Sequence, residues 1–148
     1  MKVAILMGSE KDMSKMAACA AVLAEFEIEH EVHVMSAHRT PEKVAEFTTN
    51  ARANGFGVIV CGAGKAAHLA GAVAAHTTLP VVGIPIAAGG LGGVYAMWST
   101  VQMPTGIPVA TVAIDGSANA GYLAASILSV TDQAVAEKLA TYREGLKG

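Results

Sequence analysis

Five short runs of apolar, mostly β-branched residues alternate with segments of helical periodicity along this chain. The runs cover residues 3–7, 32–35, 58–61, 81–84 and 109–114, and each ends near a Gly, Ser or Pro. Runs this short and apolar are typical of strands that are buried on both faces. When such strands alternate with helices they indicate a parallel sheet, because each crossover helix must cover the sheet. We therefore predict an α/β fold, a three-layer flavodoxin-like sandwich with a five-stranded parallel sheet.

The segments between these runs have the spacing of amphipathic helices. In the first, Met13, Met16 and Leu23 share one face, which is predicted to pack on the sheet. Thr40–Pro41 predicts the start of the second helix, with Thr as N-cap and Pro at the first helical position, and residues 54–55 can stop it. The remaining helices are expected within residues 69–76, 92–101, 119–128 and 131–144.

Length and charge limit the domain count and the partners. A chain of 148 residues with 53% hydrophobic content can bury one substantial core, so we predict a single domain over residues 1–148. Ten basic and twelve acidic residues give a net charge of -2, with no basic stripe for nucleic-acid phosphates. Residues 1–7 are too short for a signal peptide or a membrane span. We therefore expect a protein that binds neither nucleic acid nor membrane.

Cysteine usage and side-chain size bear on compartment and assembly. Cys19 and Cys61 belong to no CxxC pair, which argues against a zinc site or a disulfide framework and suits a reducing cytoplasm. Aromatic residues make up 5% of the chain and charged residues 15%, whereas glycines number 16. A subunit this apolar has few charges to cover its outside, so we expect it to pack against copies of itself as a homo-oligomer.

Ligands of open parallel sheets bind beyond the carboxyl ends of the strands, where the strand order reverses. The first loop there, Gly8–Asp12, is a glycine turn that leads into a helix, so its N–H groups and the Ser9 hydroxyl suit a phosphate. A capping box, in which Ser9 caps the helix and Asp12 reaches back, fits this stretch equally well. The loop has neither GxGxxG nor the Walker ending, which argues against a dinucleotide or a nucleoside triphosphate.

The loop after the second strand, Ser36–Pro41, combines a phosphate-binding group with a proton-transfer group. The Arg39 guanidinium matches the geometry of phosphate oxygens, and the neighbouring His38 can exchange a proton near neutral pH. The alternative is that Arg39 is a solvated surface charge and His38 a structural histidine. Structural roles are expected for the three histidines outside the strand-end loops, which are His30, His33 and His76.

The loop after the third strand, Cys61–Leu69, contains two glycines among small residues. Gly62 and Gly64 allow the backbone to approach a ligand closely, and His68 then opens a helix. The same glycines are compatible with a turn that serves only helix–sheet packing.

Together these loops resemble class I of the PurE family of purine biosynthesis. The resemblance covers nearly the whole chain, and its motifs are Gly8-Ser9-x-x-Asp12, Ser36-Ala37-His38-Arg39-Thr40-Pro41, Gly62-Ala63-Gly64-x-Ala66-Ala67-His68-Leu69 and Val101-Gln102-Met103-Pro104.

The resemblance implies an N(5)-carboxyaminoimidazole ribonucleotide mutase that uses no metal, ATP or organic cofactor and assembles as an octamer. In that family's pattern His38 carries the proton. The resemblance also implies a set of substrate-binding residues: Ser9, Ser36 and Arg39 for the phosphate, Asp12 for the ribose, and Gly64, His68 and Leu69 around the base and its carboxylate.

The chain departs from the family's pattern at three places: Lys11, Lys65 and Tyr95–Ala96. Many relatives have a serine, a glycine and an Asp-Ser pair there. We expect the Lys65 side chain to point outward into solvent.

Two other functions remain open at this level. A direct aminoimidazole ribonucleotide carboxylase would be expected to carry Lys in place of Arg39 and no histidine at position 68. A non-catalytic module that binds a flavin or another phosphorylated ligand would need the anion-binding loops but no histidine aimed at the base.

Overall fold

The computed structural model describes residues 1–148, and they form a five-stranded parallel sheet with helices on both faces. The strand order is β2-β1-β3-β4-β5, which confirms the predicted α/β fold. The strands are β1 (Lys2–Met7), β2 (His30–Val34), β3 (Phe56–Gly64), β4 (Val81–Ile86) and β5 (Ala110–Thr111). The α-helices are α1 (Met13–Glu25), α2 (Pro41–Asn50), α3 (Leu69–Ala74), α4 (Val94–Val101), α5 (Ser117–Leu128) and α6 (Gln133–Gly145).

Each face of the sheet has its own hydrophobic core, because successive residues of a strand point to opposite faces. Val3 and Ile5 of β1 belong to the core that α1 and α5 cover. Ala4 and Leu6 belong to the core on the other face, beside α2 and α3. Burial on both faces is the reason that β1 is apolar from Val3 to Met7. The expectation of burial on both faces is wrong for β2, an edge strand that contains His30, Glu31 and His33 and has no buried residue.

The fifth strand and the second helix end several residues earlier than the sequence predicts, and the second strand covers His30–Val34 rather than residues 32–35. The fifth strand was expected over residues 109–114, but only Ala110–Thr111 pairs with β4. This strand lies at the edge of the sheet, so β4 is its one neighbour in the ladder. The second helix ends at Asn50, and turns fill the residues before Gly55, whose φ is 85°.

The segment between β4 and α4 is an irregular glycine-rich loop. A 3₁₀ turn over Gly90–Gly93 precedes α4, which begins at Val94, within the predicted range of residues 92–101. Leu91 has a φ of 62°, in the left-handed region that disfavours side chains. No helix of the chain is both long enough and apolar enough to cross a membrane.

Candidate active site

The strand order brings three loops together at one edge of the sheet. Met7, the last residue of β1, pairs with Val34 of β2 on one side and with Gly62 of β3 on the other. The strand order reverses between β1 and β3, and ligands of such sheets bind at the point of reversal. The loops that follow β1, β2 and β3 line a cleft of about 560 Å³. All eight predicted site residues line it: Ser9, Asp12, Ser36, His38, Arg39, Gly64, His68 and Leu69.

The loop after β2 is a compact turn that presents Arg39. The Arg39 N–H donates to Ser36 Oγ at 3.2 Å, and the Ser36 N–H donates to Thr40 Oγ1 at 3.0 Å. Thr40 occupies the N-cap position of α2, as predicted, but its hydroxyl bonds to Ser36 rather than to the helix. The Arg39 guanidinium donates to the Gly8 carbonyl, so the loops after β1 and β2 are linked across the cleft.

The loop after β1 contains an N-cap but no reciprocal capping box. Ser9 Oγ accepts a hydrogen bond from the Lys11 N–H at 3.3 Å and so caps the short 3₁₀ turn Glu10–Asp12. The Asp12 carboxylate forms no hydrogen bond with the protein and lines the cleft. Partial burial raises the pKa of Asp12, although the nearby Lys15 ammonium opposes the shift. Its oxygens are therefore available to a ligand's hydroxyl groups.

A pair of histidines lies along the same cleft. His38 Nε2 and His68 Nδ1 are 2.8 Å apart, and the rings are nearly perpendicular at 84°. At this distance one nitrogen donates a proton and the other accepts it, so the two rings share one hydrogen bond. His38 comes from the loop after β2, whereas His68 stands at the N-cap of α3. Both side chains are exposed to the cleft, where a ligand can exchange a proton with them.

Gly64 and Leu69 form the floor of the cleft beside this pair. A Cβ on Gly64 would come within 2.7 Å of the Ala88 Cβ and 3.1 Å of the Ile86 carbonyl oxygen, so only glycine fits here. Leu69 is 2% exposed and also belongs to the hydrophobic core. The floor is consequently apolar and closely packed.

Sequence reasoning missed the contribution of the loop after β4. Ala88 of this loop lines the cleft, although only the loops after the first three strands were considered. Asp115 holds this loop in place, since its Oδ1 accepts from the Ala87 N–H at 2.9 Å. Lys15 donates to both the Ala87 carbonyl, at 2.9 Å, and Asp115 Oδ2, at 2.7 Å. No local pattern links residues so far apart along the chain.

The residues that depart from the family's pattern lie at or beside the cleft. Lys11 lines the cleft near Ser9. Lys65 is exposed, but it lines the cleft, which does not fit the expectation of a side chain that points outward into solvent. Tyr95 and Ala96 line a neighbouring cavity of about 300 Å³, which Lys65 borders as well.

The three histidines predicted to be structural lie outside the cleft. His30 bonds to the Ile28 carbonyl and His33 to the Glu31 carboxylate, each at 3.0 Å. His76 is exposed after α3.

The chain is similar in sequence and in structure to proteins that are already known. The model of the family described as "AIR carboxylase" matches residues 2–148. The chain is 51% identical to the N5-carboxyaminoimidazole ribonucleotide mutase of Pyrococcus abyssi, over 99% of this chain and 84% of that protein. It is 53% identical to the Aquifex aeolicus protein of the same name, over 93% of this chain and 82% of that one. The crystal structure of Treponema denticola PurE matches with a TM-score of 0.89 at 31% identity, covering 98% of this chain and 90% of that chain.

Proposed function

The chain belongs to the AIR carboxylase family, and on that premise we propose that it is a mutase of de novo purine biosynthesis. Its reaction converts N(5)-carboxyaminoimidazole ribonucleotide to 4-carboxy-5-aminoimidazole ribonucleotide. The observation that carries this proposal is the His38–His68 pair, which is joined at 2.8 Å in a cleft whose other end gathers phosphate-binding groups. A nucleotide held by its phosphate at that end can place its base against the histidines.

The phosphate binds between the loops after β1 and β2. Ser9, Ser36 and Arg39 line a recess of about 440 Å³ at that end of the cleft. Two hydroxyls and a guanidinium can donate to phosphate oxygens, and the guanidinium adds opposite charge. Asp12 accepts hydrogen bonds from the ribose hydroxyls.

The base and its carboxylate lie over Gly64, His68 and Leu69. The absence of a side chain at Gly64 lets the end of β3 pack against Ala88 and the Ile86 carbonyl, and Leu69 gives the ring an apolar contact. This packed floor limits the escape of carbon dioxide between the two halves of the reaction.

His38 carries the proton in both halves. In the first, protonated His38 gives its proton to the exocyclic nitrogen as the bond from that nitrogen to the carboxyl carbon breaks, which releases carbon dioxide and an amine. In the second, ring carbon four attacks the carbon dioxide, and the new carbon–carbon bond leaves that ring carbon with one hydrogen too many. Neutral His38 removes this proton, so the histidine returns to its starting state. These steps need no metal, ATP or organic cofactor.

His68 keeps the His38 ring in the orientation that this transfer requires. His68 is held by α3, because its carbonyl accepts the Ala72 N–H at 2.9 Å and its own N–H donates to the Ala66 carbonyl at 2.9 Å. These bonds fix the backbone of His68, and its ring then offers Nδ1 as the one protein partner of His38 Nε2. The pair therefore positions one proton beside the base.

The protein acts as a homo-octamer in the cytoplasm. Self-association is supported by three large apolar side chains that α4 exposes at a spacing of three residues: Tyr95 at 51%, Trp98 at 54% and Val101 at 46%. A reducing compartment is supported by the two free cysteines, Cys19 and Cys61, which are buried. Burial also raises the pKa of both thiols, so they stay protonated.

A comparison of two substrate mixtures tests the proposed reaction. The wild-type protein is given N(5)-carboxyaminoimidazole ribonucleotide or, separately, aminoimidazole ribonucleotide with bicarbonate, and formation of the 4-carboxy product is followed by absorbance. We expect fast conversion of the carbamate and little product from the second mixture. Equal or faster product formation from the second mixture would identify a direct carboxylase, and nucleotide binding without any turnover would identify a binding module.

A further inference from the structure

Lys65 stands at the rim of the active site in an unusual backbone conformation. It follows β3 directly and has a φ of 55°, in the left-handed region that favours glycine. The conformation turns the side chain towards the loop after β4. A Cβ on Gly89 of that loop would lie 3.8 Å from both Cγ and Cε of Lys65, so the aliphatic part of the lysine runs along this loop.

The Lys65 ammonium has no counter-charge in the protein. It takes part in no ion pair and no side-chain hydrogen bond, unlike Lys2, Lys15, Lys138 and Lys147. Lys65 borders both the cleft and the smaller cavity beside Tyr95. The smaller cavity contains no acidic residue, and the two carboxylates of the site, Asp12 of the cleft and Glu10 of the phosphate recess, both belong to the loop after β1. A bound anion would therefore supply the negative charge that the protein itself does not place beside the Lys65 ammonium.

The positive groups of the site are divided between its two ends. Arg39 and Lys11 line the phosphate recess together with Ser9 and Ser36, and Lys65 does not. Lys65 instead borders the part of the cleft formed by the loop after β3, which also supplies His68. A ligand with one anion at each end, a phosphate and a carboxylate, matches this distribution.

We propose that Lys65 is a specificity-determining residue, whose ammonium binds the carboxylate of the nucleotide and favours carboxylated over decarboxylated forms. This inference rests on the proposed function, since it assigns the second anion to the group that the mutase moves. The contact is made at the exposed rim of the cleft, so its effect is moderate. We expect this contact to increase the affinity for the carboxylated nucleotide about five- to tenfold. That effect lies between the effect of an exposed ion pair and that of a buried charge-assisted hydrogen bond.

Calorimetry with two nucleotides tests this assignment through binding affinity rather than turnover. The nucleotides are 4-carboxy-5-aminoimidazole ribonucleotide and aminoimidazole ribonucleotide, which differ by the carboxylate. Lys65→Gly suits the left-handed backbone, Lys65→Gln removes the charge but keeps a polar side chain, and Lys65→Arg keeps the charge. Lys43→Gln is the matched control, because Lys43 is an exposed lysine of α2 that lines neither cavity.

We expect Lys65→Gly and Lys65→Gln to bind the carboxylated nucleotide about five- to tenfold more weakly and the decarboxylated one as wild type does. Lys65→Arg and Lys43→Gln should keep the wild-type ratio of the two affinities. An unchanged ratio in Lys65→Gly, or an equal loss for both nucleotides, would overturn the inference. If the wild-type protein bound neither nucleotide, the proposed function itself would fail, which the same titrations reveal.

Discussion

Arg39 is exposed at the mouth of the cleft, so its loss is expected to weaken binding rather than folding. A charge-assisted contact of this kind contributes about 1.5 to 3 kcal/mol, so Arg39→Ala should raise KM roughly ten- to hundredfold. Lys should restore only part of this, because an ammonium cannot reproduce the two-pronged geometry of the guanidinium. The measurement is steady-state kinetics with the carbamate substrate.

Arg52→Ala is the control for this substitution. Arg52 is also exposed but donates to Thr78 Oγ1, outside the cleft. The Arg52→Ala variant should therefore have the wild-type KM. A wild-type KM in Arg39→Ala as well would make Arg39 a surface charge.

His38 is predicted to be needed for the chemical step and not for binding. Asn fills similar space and can form a hydrogen bond, but it cannot carry a proton at neutral pH. His38→Asn should fold, bind the nucleotide and lose about a hundred- to ten-thousandfold in turnover. Calorimetry and turnover on the same preparation separate these effects, since misfolding would abolish both.

His76→Asn provides the matched control, because His76 is an exposed histidine that follows α3 outside the cleft. Its turnover should equal that of the wild type. Near wild-type turnover in a folded His38→Asn protein would mean that another group carries the proton. His68, which already shares a hydrogen bond with His38, would be the next candidate.

The ion pair between Lys15 and Asp115 connects α1, the loop after β4 and the loop before α5. Burial alone would raise the pKa of Asp115, but hydrogen bonds from Lys15 and from the Ala87 N–H outweigh it and lower the pKa. A lowered pKa means that the folded state binds fewer protons than the unfolded state. The stabilisation is therefore full above the ordinary value of 3.8 and is lost as the pH falls through the lowered pKa.

Asp115→Asn should consequently lower the unfolding temperature near neutral pH and have a smaller effect in acid. Because the pair holds Ala87, the amides of residues 88–93 should also exchange faster with deuterium. Glu144→Gln is the control, since it removes the charge of an exposed pair with Lys147. Unchanged exchange in residues 88–93 of Asp115→Asn would show that the pair does not hold this loop.

The sequence predicts elements and strand-end motifs well because both depend on local patterns. The apolar runs of β1 and β3 mark buried strands, and Ser36–Pro41 carries its binding groups within six residues. The contacts that complete the site are not local: His38 meets His68 thirty positions away, and Lys15 meets Asp115 a hundred positions away. The shortened β5 depends on its place at the sheet edge, which only the assembled sheet defines.

The exposed apolar side chains of α4 predict that the protein associates with copies of itself. Light scattering should give a mass several times the 15.0 kDa of one chain at micromolar protein. Trp98→Lys places a charge in the middle of the exposed apolar face and should reduce that mass, whereas Val130→Lys, at an exposed apolar residue after α5, should not. A stable and fully active wild-type monomer would contradict the proposed assembly.

The single-domain organisation of residues 1–148 stays a prediction.

In the proposed mutase reaction, one carboxylate moves within one enzyme-bound nucleotide. Substrate labelled with ¹³C in its carbamate is converted in buffer that contains unlabelled bicarbonate, and the product is analysed by mass spectrometry after brief reaction. We expect the label to stay in the 4-carboxy product, because carbon dioxide remains over the packed floor at Gly64 until ring carbon four captures it. A product whose carboxylate comes mainly from the bicarbonate pool would contradict it.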